Sequence, residues 1–136
     1  MSQRNHYENL PIYKATYQLA LAFQVHCMPH LSRDVRYTIG QGLVKLLMNT
    51  IVIIYEANLS HDKHRLLMQG RKLTVEVKVT LRMLCDMHQI SEGLYLQLSE
   101  QAVSVSKQFT GWDNSQYRID HENNLQTTIG GETVMK

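Results

Sequence analysis

Seven histidines, twelve carboxylates and two cysteines are enough to build a metal centre or an acid–base pair, so spacing decides whether they do. His26 and His30 stand four apart and His61 and His64 three apart, steps that put two imidazoles on one helix face, as a zinc ion requires. Pro29 ends the helix inside the first pair, and neither pair has a third or fourth ligand in the pattern. A di-metal helical bundle needs Glu-x-x-His on two helices. No glutamate here is followed three residues later by histidine, and the apolar stripes described below carry no carboxylate. There is no Cys-x-x-Cys, no glycine-rich phosphate loop and no nucleophile elbow. The expectation is a protein that is not an enzyme and holds no metal or cofactor, with Cys27 and Cys85 as small core fillers.

The one surface constellation is basic. Arg71, Lys78 and Arg82 stand at i, i+7 and i+11, along one helix face, with Lys72 beside Arg71. Residues 62–88 hold six Lys/Arg against three acids, a net +3, and Arg33 and Arg36 add charge at the start of the preceding helix. Such side chains neutralise phosphates or an acidic protein surface and carry no base specificity. The competing reading is a solvated face, with Glu76 paired to Lys72 and Asp86 paired to Arg82 at i,i+4. Charge is also segregated along the chain. Residues 1–112 carry twelve Lys/Arg against eight acids, a net +4, and residues 113–136 carry two against four, a net −2.

Helices must position these residues. Leu10 to Met28 is the first, with Pro11 suited to its first turn and an inward stripe of Ile12, Thr16, Leu19, Ala20, Phe23 and Cys27. Ser32 to Asn58 is the second and the most apolar, with Ser32 as the expected N-cap. Its stripe is Val35, Ile39, Gly42, Leu43, Leu46, Thr50, Ile53 and Ala57. A second stripe, Val44, Leu47, Met48, Ile51 and Val52, lies on other faces and is expected to be an oligomer interface. A membrane span is not expected. The dense apolar run from Leu43 to Ile54 contains Lys45 and Asn49 and falls short of the roughly 20 residues a bilayer needs.

The third helix, about Asp62 to His88, shows Leu66, Gly70, Leu73, Val77, Thr80, Leu84 and Met87 at steps of four and three. That period outweighs the strand preference of Thr74, Val75, Val77 and Val79. Ser91 caps a fourth, with Ile90, Leu94, Leu98, Ala102, Val105, Phe109 and Trp112 inward. Short links join all four, so the fold class is all-α, an up-down-up-down four-helix bundle over residues 10–112. Residues 1–9 read as a flexible N-terminus and 113–136 as a disordered polar tail. MSQRNHYENLP lacks the apolar core of a secretory signal and the cysteines form no disulfide framework, so a cytoplasmic, reduced protein is expected.

LPIYKATYQLAL (10–21), SRDVRYTIGQGLVKLL (32–47), IVIIYEANLSHDK (51–63) and FTGW (109–112) together resemble the accessory variability proteins of diversity-generating retroelements. That family belongs to the four-helix-bundle group similar to proteins encoded in intervening sequences of 23S ribosomal RNA. The resemblance implies a homo-oligomeric, pentameric barrel with a basic exterior. It also implies a non-enzymatic role, binding the reverse transcriptase of the element and template RNA or an RNA/DNA hybrid in support of mutagenic copying. This chain is less basic than is common in that family. The alternatives are an RNA- or ribosome-associated bundle of the intervening-sequence kind, or a purely structural helical oligomer.

Overall fold

The computed structural model describes the backbone of residues 6–135 and the side chains of residues 6–126. Four helices pack in a ring of neighbours: α1 (Pro11–His26), α2 (Arg33–Leu59), α3 (His64–Asp86) and α4 (Glu92–Met135). Each packs on the next in chain order and α4 closes onto α1, which is the up-down-up-down bundle. No strand occurs among the described residues. The β-branched middle of α3 is helical because the tertiary stripe overrides propensity. Three threonines sit in the core, Thr16, Thr50 and Thr74. Each hydroxyl donates to a carbonyl of its own helix, that of Ile12, Leu46 and Arg71 respectively, so none is an unsatisfied buried group.

The second helix is not uniformly α. Arg36–Gly40 forms a π turn between Arg33–Val35 and Gln41–Leu59. A π turn inserts a residue and rotates everything after it. The buried positions therefore step by five across it, from Val35 to Gly40, and continue as Leu43, Leu47, Thr50, Ile54 and Ala57. Gly42, expected inward, is exposed and Leu46 is half-buried against the core, while Leu43, Thr50, Ile53 and Ala57 are buried as expected. Gly40 is the residue the turn needs: a Cβ there would come within 2.8 Å of Met28 Sδ and 2.9 Å of Leu31 Cδ1. Ser32 occupies the N-cap position, yet its side chain makes no cap bond; its backbone N–H donates to Gln89 Oε1 at 2.8 Å. Ser91 does cap α4, its Oγ accepting from the Leu94 N–H.

Both ends depart from the sequence expectation. The tail expected to be disordered from residue 113 continues α4 to Met135. Extending a helix already nucleated in the bundle adds one hydrogen bond per residue fixed, and no proline follows Pro29. At the other end, residues 1–5 of the expected flexible segment lie outside the described residues. Tyr7–Asn9 forms a 3₁₀ turn, and the Tyr7 ring meets Tyr13 and Tyr55 edge-on at centroid distances of 5.3 and 5.1 Å.

Candidate functional site

The helices leave more apolar surface outside than four-helix packing requires. On α1, Tyr17, Leu21 and Val25 are exposed at steps of four. On α2, Met48, Val52, Tyr55 and Leu59 are exposed, with Met48 at 51% and Val52 at 50%. On α3, Met68, Val75, Val79 and Met83 are exposed. Within the bundle the outer side of α4 is mostly polar, with Leu96 its one exposed large apolar residue before Tyr117 among the described side chains. Three of four helices therefore present outward apolar stripes, the arrangement that marks an interaction surface.

Of the five expected interface residues, Met48 and Val52 face outward. Val44 and Ile51 are half-buried, and Val44 packs against the core. Leu47 is corrected: at 2% exposure it lies in the chain's own core, filling the step of four and three between Leu43 and Thr50 on the inward stripe. Tyr55 and Leu59 continue the outward stripe. Carrying the step of four and three forward from Met48 through Val52 would have found them.

The basic residues divide in the same way. Arg71, Lys72 and Lys78 have no carboxylate partner among the described residues. The Lys72–Glu76 pair of the competing solvated-face reading is not formed; both line a groove of about 380 Å³ between α2 and α3, with Asn49 and Gln69 opposite and beside them. Arg82 does pair with Asp86, its Nε donating at 3.1 Å, and its guanidinium sits 5.9 Å from the Tyr95 ring. The Tyr95 and then the Asp86 interactions push the Arg82 pKa up, so it stays charged. Arg33 is exposed. Arg36 is engaged within the chain: its Nε donates to the Met28 carbonyl and its Nη2 to those of Pro29 and Leu31, closing the turn between α1 and α2. Sequence pattern treats every exposed-phase arginine alike and has no signal for this loop-capping role.

The histidine pairs do not gather. His26, His30 and His61 are exposed, and among the described residues no group of three His, Cys, Asp or Glu side chains is placed to hold a metal. His64 instead joins α3 to α4, its Nδ1 lying 2.9 and 3.0 Å from the two carboxylate oxygens of Asp113. Asp113 is the only buried charged residue among those described. Lys63 Nζ donates to the carbonyls of Ala57 and Ser60 and so ties off the C-terminal end of α2. Burial pushes the Cys27 thiol up to about 11, which keeps it protonated and unreactive.

α2 is long and apolar enough to cross a membrane by length and composition, with a third of its most apolar stretch buried in the bundle. Comparison with models of known protein families, with curated proteins and with solved structures finds no match.

Proposed function

We propose that the chain is a non-enzymatic adaptor that self-associates through the apolar outer faces of α1, α2 and α3 and offers the basic flank of α3 to a polyanion. The observation that carries this reading is on α3. Arg71, Lys72 and Lys78 stand without carboxylate partners among the described residues, beside the exposed stripe of Met68, Val75, Val79 and Met83. Unpaired cations bordering an apolar strip suit a surface that meets both a partner protein and phosphate groups. The resemblance supplies the occupants: template RNA or RNA/DNA hybrid, and the reverse transcriptase of a diversity-generating retroelement, bound by a pentamer in the cytoplasm.

Two variants test the two halves separately. Replacing Arg71, Lys78 and Arg82 together by Glu leaves helix content and oligomer mass unchanged and abolishes binding of RNA and of the polymerase. Wild-type RNA affinity falls steeply with salt, as phosphate contacts require. Met48→Asp with Val52→Asp leaves the helices intact and lowers the sedimenting mass. A purely structural oligomer would respond to the second pair of changes and show no RNA affinity to lose. Unaltered binding in the triple variant removes the basic flank from the model.

A further inference from the structure

α4 has 44 residues and α3 has 23, so α4 is far longer than the bundle that it completes. The two are antiparallel, with Gly70 against Phe109 and His64 against Asp113 at the start of α3. Beyond Asp113 no neighbouring helix remains among the described residues. Ser115 and Gln116 are half-covered, and every side chain from Tyr117 to Gln126 is exposed, Tyr117, Ile119 and Leu125 included. A lone helix of this length, rich in Asn, Gln, Thr and Gly, is marginal in water.

We infer that this projecting arm packs along the outer face of α3 of a second copy of the chain. Three features select that occupant. Residues 114–135 span about 33 Å and α3 about 35 Å at 1.5 Å per residue, so the arm matches the length of the face. The arm is acidic where α3 is basic. The stripes also share a register: Arg118, Glu122 and Leu125 step by four and three, as Met68, Lys72 and Val75 do. Laid parallel, Glu122 faces Lys72 and Leu125 faces Val75. Lys72, exposed and without a carboxylate partner among the described residues, gains one. Its own Glu122 is out of reach. Lys72 lies eight residues from His64 in one direction and Glu122 nine residues from Asp113 in the other, an axial separation of about 25 Å.

This inference rests on the self-association half of the proposed function; it takes Lys72 out of the polyanion surface and leaves Arg71 and Lys78, on the flank of the stripe, to that role. Full-length light and ¹⁵N-labelled chains are mixed, coupled with a zero-length carbodiimide and digested for mass spectrometry. The expected product is a mixed-isotope peptide pair joining Lys72 to Glu122. Lys72→Glu and Glu122→Lys each weaken self-association on the order of tenfold in sedimentation, and the double exchange restores it. An oligomer whose mixed-isotope links avoid Glu122, or whose charge-exchanged double variant is no better than the singles, overturns the arm while leaving self-association standing. Lys72–Glu122 links in a chain without RNA affinity would sink the adaptor reading and uphold the arm.

Discussion

Gly70→Ala sets two opposed effects against each other at one site. Alanine in a helix interior is favoured over glycine by about 1 kcal/mol, so on propensity alone the variant would be more stable. The structure reverses the sign. A Cβ at residue 70 would collide with Cδ1, Cε1 and Cζ of Phe109, roughly 1 Å inside ordinary carbon–carbon contact. Phe109 is 0% exposed and belongs to the core cluster with Ile54, Leu67 and Val105, so the ring has no solvent to swing into. Forcing added volume into a packed core costs about 1–3 kcal/mol. The net expectation is a loss of up to about 2 kcal/mol, or up to several degrees in Tm for a chain of this size. Gly42→Ala is the control, since a Cβ there meets nothing within 4 Å; it should gain about 0.5–1 kcal/mol. Urea unfolding followed by circular dichroism at one fixed chain concentration reads both. Phe109→Leu should be destabilising alone yet should make Gly70→Ala less costly on its background. If Gly70→Ala is more stable than the parent by the full ~1 kcal/mol of helix propensity, with an unchanged m-value, the close α3–α4 approach at this point is wrong.

Two further changes report on other parts of the bundle. His88 adopts a φ of 60° just past the end of α3, where the Gln89 N–H reaches the Leu84 carbonyl and the His88 N–H reaches that of Cys85. That left-handed position suits glycine, so His88→Gly should stabilise by about 1 kcal/mol in the same urea assay, and a loss would mean the imidazole makes a compensating contact. Cys27 supplies a pH dependence. Its folded-state value is raised to about 11 from an ordinary 9, so the folded chain holds its proton longer than the unfolded one. The stability this provides is complete below pH 9 and is lost as pH rises towards 11. Comparing unfolding of parent and Cys27→Ala across pH 8–11 should show the parent losing more. At pH 8 in native buffer a thiol reagent should modify half-buried Cys85 before Cys27; equal rates would contradict the burial.

The number and order of the helices, and the approximate bounds of all but the end of the fourth, were legible in the sequence, because the period of apolar residues and the positions of Pro11, Pro29 and Ser91 are local signals. So was the surplus of apolar surface on the second helix, since Met48 and Val52 recur off the main stripe however that helix is packed. What the sequence left open is phase and occupancy. Leu47 reads as an interface residue until the packed bundle widens the inward stripe to include it beside Leu43 and Thr50. Gly42 reads as inward with Val35 and Ile39 until the π turn at Arg36–Gly40 shifts the phase, and no local pattern announces that turn. Arg36 reads as a surface charge until three loop carbonyls converge on it. Asp113 reads as the first residue of a polar tail until His64, 49 positions earlier, meets it and α4 runs on. Periodicity follows from 3.6 residues per turn and is written into neighbouring residues. Which face turns inward, and which polar groups are consumed there, depends on groups distant in sequence that only the packed bundle brings together.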